Sequence, residues 1–208
     1  MRIFCTGTSG YIGGSIAAAL AAAGHEVSGL ARSQRSAEQI AALGLIPVHG
    51  TLDDADILRA AAARADAVIN SANADHEPSA QALLGAIEGT GKTYIHTSGS
   101  SIVGTQSAGE RVDAIFDETT PINPSSGRAA RVALNKHILA FKSKGVRSII
   151  VCPSLIYGIG RGPAEHSIQV PWLIELAKKA GVAKHMAPVK TSGGTCISTI
   201  WSIFIFLR

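Results

Sequence analysis

The stretch that decides the fold is Arg2-Ile3-Phe4-Cys5-Thr6-Gly7-Thr8-Ser9-Gly10-Tyr11-Ile12-Gly13. Arg2–Thr6 is a short apolar run that reads as a strand, and Tyr11–Ala23 is an alanine-rich run, closed by Gly24, that reads as a helix. Between them Gly7 permits a tight turn, Gly10 lets backbone N–H groups approach a ligand, and Gly13 lets the helix lie close to the strand. The start of a helix offers unbonded N–H groups and the positive end of a dipole, which together suit a phosphate. Glycines used only for turning need no register with a strand–helix junction. Three in register point to the pyrophosphate of a dinucleotide, with Ser9, Tyr11 and Ile12 in the same loop.

Outward from this junction, strand-like and helix-like runs alternate. Strands are expected at Glu26–Ala31, Leu45–His49, Asp66–Ser71, Lys92–Thr97 and Arg147–Cys152. Helices are expected at Ala37–Leu43 and Asp54–Arg64, near Ser79–Glu88 and Arg128–Lys144, and at Ile168–Ala180. Strict alternation implies an α/β fold, a doubly wound parallel sheet of the Rossmann type with ligands at the carboxyl ends of the strands. No fixed-period repeat interrupts it. The organisation expected is one domain over residues 1–186 and a tail of different character over 187–208.

The composition, 46% hydrophobic and 16% charged over 208 residues, is that of an ordinary globular chain. The net charge of +4 is scattered along the sequence rather than gathered with aromatics, which argues against a nucleic-acid partner. Three cysteines lie far apart without metal spacing, and two sit in apolar runs that favour a buried, inert thiol. No metal site is expected among the seven histidines; His96, inside a strand, lies nearest the site. The apolar stretch 197–207 is well short of the roughly 20 residues a spanning helix needs. No membrane partner is expected, and with no recognisable signal peptide the expected location is cytoplasmic. Nothing in the pattern specifies an oligomeric state.

The end of the second strand bears on which dinucleotide binds. An acid there would hold the ribose 2′-hydroxyl, and an arginine would accommodate a 2′-phosphate. This chain has Leu30-Ala31-Arg32-Ser33 and no carboxylate, so Arg32 points to NADP, with NAD and a solvated arginine as the alternative.

With its loop spelled T-G-x-x-G-x-x-G, the sequence resembles the short-chain dehydrogenase superfamily, in its extended or atypical, NAD-dependent epimerase/dehydratase-like branch. Further resemblances are His49-Gly50-Thr51-Leu52-Asp53, Val68–Ala72, Tyr94–Gly104 and Cys152-Pro153-Ser154-Leu155-Ile156-Tyr157-Gly158. They imply that Asp53 borders the adenine, that Ser71 and Ala72 lie along the cofactor, and that Pro153 lies near the nicotinamide. Tyr157 would offer a phenol on that side or shape the loop. The resemblance also implies hydride transfer between the nicotinamide and a small carbonyl or alcohol substrate. In the family a Ser or Thr polarises the substrate oxygen and a Tyr-x-x-x-Lys pair moves the proton. Here Lys136 matches the lysine, to hold the ribose or to stand as a solvated helix residue, but Val132 replaces the tyrosine. Alignment on Gly104 puts Gly99 at the serine position, which leaves Ser98 or Ser100 to polarise the substrate, with Ser101 beside them. The alternative function is a non-catalytic dinucleotide-binding or redox-sensing protein, or an inactive remnant of the enzyme.

The segment Lys190–Arg208 departs from this pattern. Read from the third base of each codon, the codons that can encode it permit D-V-W-G-N-V-H-L-D-D-L-V-D-L-Y-L-L-A. That string resembles the family continuation W-x-N-V-H-I-D-D-L. The expectation is a frame-displaced tail and a largely missing substrate lobe, and the encoding DNA tests it.

Overall fold

The run Arg2–Thr6 forms strand β1, with every residue after the first buried. Burial on both faces belongs to a strand inside a sheet that helices cover on both sides. The computed structural model describes residues 1–103, 113, 115–183 and, for the backbone alone, 195–197. Strands β2 (Glu26–Ala31), β3 (Ile46–His49), β4 (Ala67–Asn70), β5 (Thr93–Thr97) and β6 (Arg147–Val151) join β1 in one sheet. The order is β3-β2-β1-β4-β5-β6 and every pairing is parallel. This is the doubly wound topology expected from the alternation, and the strand order reverses between β1 and β4.

Side-chain alternation along β1 sorts the core into two layers. Ile3 and Cys5 belong to a cluster with Ile16 and Leu20 of helix α1 (Tyr11–Ala22) and Ile40 of α2 (Gln34–Ala41). Phe4 joins Leu58 of α3 (Ala55–Arg64), Leu83 of α4 (Glu77–Gly85) and Ile138 of α5 (Ala129–Ala140), around the fully buried Tyr94. Burial raises the Cys5 thiol to about 12, which makes it inert.

Two elements differ from the expectation. Helix α2 starts three residues before Ala37, because Ser33 and Ser36 cap it reciprocally: each hydroxyl accepts a bond from the other's backbone N–H. Strand β7 (Leu155–Tyr157) pairs in parallel with β8 (Thr195–Ile197) outside the main sheet. Three-residue strands are too short to show a period, so this pair was not foreseen. The rest of the tail, 187–194 and 198–208, and Gly104 lie outside the described residues. Helix α6 (Gln169–Ala180) has no buried side chain and leaves Trp172 and Leu173 more than half exposed. Among the described residues no helix is long and apolar enough to cross a membrane, and no three His, Cys, Asp or Glu side chains form a group able to hold a metal ion.

Candidate functional site

A crevice of about 1170 Å³ opens at the carboxyl ends of the strands, across the point where the strand order reverses. The glycine loop forms its floor. Gly7 has φ +75°, and a Cβ there would lie 2.8 Å from the backbone of Ser71. A Cβ on Gly13 would lie 2.4 Å from the Gly7 carbonyl oxygen, so helix α1 meets the β1 turn at a distance only glycine allows. The Gly10 N–H bonds the Gly7 carbonyl and the Gly14 N–H bonds the Gly10 carbonyl. The N–H groups of Tyr11, Ile12 and Gly13 in between have no partner within the helix, and no acidic side chain occupies this first turn. That is an anion site built from backbone, and it fits a pyrophosphate.

Beneath the loop the polar groups are closed into a network. The Thr6 hydroxyl donates to Asn70 Oδ1 at 2.6 Å and accepts from the Ser71 N–H, and the Asn70 amide donates to the Tyr94 phenol. His96 is fully buried beside it, and burial lowers its pKa, so the ring is neutral at pH 7. Its Nδ1 faces the Asn70 amide and therefore accepts. His96 belongs to the scaffold and does not line the crevice.

Of the residues read from the sequence, Gly7, Ser9, Gly10, Tyr11, Ile12, Gly13, Arg32, Asp53, Ser71, Ala72, Ser98, Ser100, Ser101 and Pro153 line the crevice. Lys136 does not. It is exposed on α5, whereas Val132 is buried, Arg131 lines the crevice, and the buried Asn135 reaches it only through the Ser98 hydroxyl. Lys136 lies about 100° round the helix from Asn135, outside the buried arc. Tyr157 is exposed and also does not line the crevice.

Three contributors escaped the sequence reading. Arg131 makes a two-point ion pair with Asp75 through its Nε and Nη2, fastening α5 to the segment before α4 and holding the Asp75 carboxyl below its usual range. Asn135 donates from Nδ2 to the Ser98 hydroxyl at 2.9 Å. His76 caps α4: its Nδ1 accepts the Ser79 N–H, which leaves Nε2 to donate to Asp53 at 3.2 Å. Only His76 left a signal, since Pro78 two residues on marks a helix start. Arg131 and Asp75 are 56 residues apart and share no motif.

At the opposite wall, the Tyr11 phenol donates to the Gly158 carbonyl at 2.9 Å, and the Ser15 hydroxyl accepts the Arg161 N–H at 3.0 Å. The segment after β7 is thereby laid against the start of α1. Cys152, at the end of β6, is exposed, with its thiol beside the Ser98 hydroxyl, the Gly99 N–H and the Arg131 guanidinium. Partial burial raises the thiol's pKa, and those three groups oppose the rise.

The comparisons with known proteins agree with this geometry. The model of the NAD dependent epimerase/dehydratase family matches residues 3–195. The chain is 37% identical over 185 residues to oxidase ucsJ of Acremonium sp, covering 79% of this chain and 53% of that protein. It is 30% identical over 191 residues to a 4-hydroxy-2-methyl-3-oxo-4-farnesyl-3,4-dihydroquinoline-1-oxide ketoreductase of Stigmatella aurantiaca, covering 84% of this chain and 54% of that protein. Among solved structures it is similar in fold to the Thermus thermophilus UDP-glucose 4-epimerase in complex with NAD, with TM-score 0.72 and 18% identity, covering 100% of this chain and 74% of that one. The chain spans 53–63% of the length of the curated relatives it matches.

Proposed function

Because the chain belongs to the NAD dependent epimerase/dehydratase family, we propose that it is a dinucleotide-dependent oxidoreductase acting on a small carbonyl or alcohol substrate, with NADP(H) as its cofactor. The observation that carries this reading is the conjunction of the bare first turn of α1 with the Ser98 hydroxyl in one crevice. The names of two relatives, an oxidase and a ketoreductase, favour redox chemistry over sugar epimerisation. The glycine loop would hold the pyrophosphate, Asp53 would border the adenine, Ser71 and Ala72 would lie along the cofactor, and Pro153 would lie near the nicotinamide. The bound dinucleotide would supply or accept the hydride. Ser98 would present its hydroxyl to the substrate oxygen, with Ser100 as the nearby alternative, beside the Arg131–Asp75 ion pair. Arg32, exposed at the end of β2 with no carboxylate next to it in sequence, supports a 2′-phosphate.

A second reading, dinucleotide binding without catalysis, is favoured by one feature. The tyrosine of the family pair is replaced by the buried Val132, and among the described crevice residues the only phenol, Tyr11, is bonded to Gly158. Titration with NADPH and NADH, followed by a turnover assay on a panel of aldehydes and ketones, separates the two. Oxidation of NADPH with a carbonyl substrate is the expected outcome; tight binding with no turnover leaves the second reading. Arg32→Ala is expected to weaken NADPH roughly 10–100-fold, the worth of one charge-assisted bond, and to leave NADH unchanged.

A further inference from the structure

We propose that Asn135 is a positioning residue whose side-chain amide sets the direction in which Ser98 holds its proton. The inference rests on the reading of Ser98 as the group that touches the substrate oxygen. Asn135 and Ser98 are 6% and 8% exposed, and the amide Nδ2 donates to the Ser98 Oγ at 2.9 Å. A hydroxyl has one proton and two lone pairs. With one lone pair taken by the amide, the Ser98 proton points away from Asn135, where it can donate to the Cys152 sulfur beside it or turn to a carbonyl oxygen in the crevice.

The other half of the amide explains why an asparagine stands here. Asn135 Oδ1 is buried and has no hydrogen-bond partner, a costly arrangement inside a protein. Turning the amide by half a revolution brings Oδ1 onto Ser98, where it accepts the hydroxyl proton and leaves the Ser98 lone pairs facing the crevice. One orientation makes Ser98 a donor, suited to a carbonyl; the other makes it an acceptor, suited to an alcohol. Each orientation leaves one amide group without a partner, so neither is locked, and no backbone movement is needed to exchange them. The site can thereby hydrogen-bond the substrate oxygen in either redox state, as a carbonyl or as an alcohol.

Asn135→Asp and Asn135→Leu test this. The charged and titratable groups around the pair are Arg131 on α5, its partner Asp75, His96 on β5, and Cys152 after β6. An ionised Asp can only accept the Ser98 proton, so carbonyl reduction is expected to fall about 100-fold at neutral pH, with cofactor affinity unchanged. It should recover as pH falls and the buried carboxyl gains a proton to donate. Asn135→Leu should lower kcat about 10-fold with no such recovery. A second readout is independent of turnover: the pH dependence of Cys152 alkylation by iodoacetamide, followed by the mass of its peptide. Asn135→Asp should shift that profile upward, and the shift should at least halve in a Ser98→Ala background, because it passes through the hydroxyl.

Equal pH profiles for the Asp and Leu substitutions, or an alkylation shift unchanged by Ser98→Ala, would overturn the inference. Should the Asp substitution fail to fold, Asn135→Leu with wild-type kcat overturns it too. A wild-type protein that turns over no carbonyl sinks the functional reading instead, and the alkylation cycle still decides the role of Asn135.

Discussion

At the scale of single residues, the glycine loop is constrained more tightly than its motif states. Gly10 is crowded but less severely: a Cβ there would stand 3.2 Å from the Gly7 carbonyl oxygen, against 2.4 Å at Gly13. The second contact is with backbone on both sides, so no side chain can yield. Gly13→Ala therefore must push α1 away from β1, at a cost of about 1–3 kcal/mol for overpacking. The same movement displaces the N–H groups of Tyr11, Ile12 and Gly13 that face the crevice. The expected result is a protein that still folds but binds NADPH at least 100-fold more weakly, read by denaturant unfolding and fluorescence titration side by side. Gly10→Ala is expected to be milder on both measures. Equal effects of the two substitutions would mean that the close approach of helix and strand does not shape the phosphate site.

At the scale of elements, the sheet was legible because each strand is an apolar run bounded by turn residues, and the strand–helix alternation leaves little choice of topology. The site was legible where backbone makes it, as in the glycine loop, and illegible where a helix's rotation decides. Sequence placed α5 beside the crevice but could not fix which stripe faces it. An offset of one residue turns a side chain by about 100°, enough to put Arg131 at the crevice and Asn135 behind Ser98 in place of Val132 and Lys136. That rotation is set by distant partners, Asp75 for Arg131 and Ser98 for Asn135, which no local pattern announces. A similar long-range tie fixes the near ends of β1 and β4. The Asp66 carboxylate accepts from the Arg2 backbone N–H at 2.8 Å and from its guanidinium at 2.7 Å, which holds the Asp66 pKa at about 2. Since the folded pKa lies below the ordinary value of 3.8, this stabilisation is present above about pH 4 and is lost as pH falls toward 2. Asp66→Asn should flatten the decline in stability across that window and leave its slope above pH 5 unchanged. Urea melts at pH 6, 4 and 2.5 measure this, and parallel declines in both proteins would refute it.

At the scale of the molecule, the crevice draws its walls from nearly every part of the chain. Gly7 belongs to the β1 turn, Asp53 follows β3, Ser71 follows β4, Ser98 follows β5, and Ile168 precedes α6. The last of these walls is the least secured, since no α6 side chain is buried and its segment is tied to α1 through the bonds from Tyr11 to Gly158 and from Arg161 to Ser15. A dinucleotide lying along the crevice would touch both halves of the sheet and this outer segment at once, and would do so only in the folded chain. Binding must then appear as stability: ligand at 100 times its Kd adds about 2.7 kcal/mol. For a chain of this size that corresponds to a rise in Tm of roughly 5–10 °C. If the 2′-phosphate engages Arg32, NADPH should give the full rise at concentrations where NADH gives a smaller one, and Arg32→Ala should make the two equal. A Tm that neither dinucleotide moves at millimolar concentration would mean that the crevice does not hold the cofactor, and the functional reading would fall with it. A rise with equal response to both would keep the dinucleotide and discard the preference for NADP.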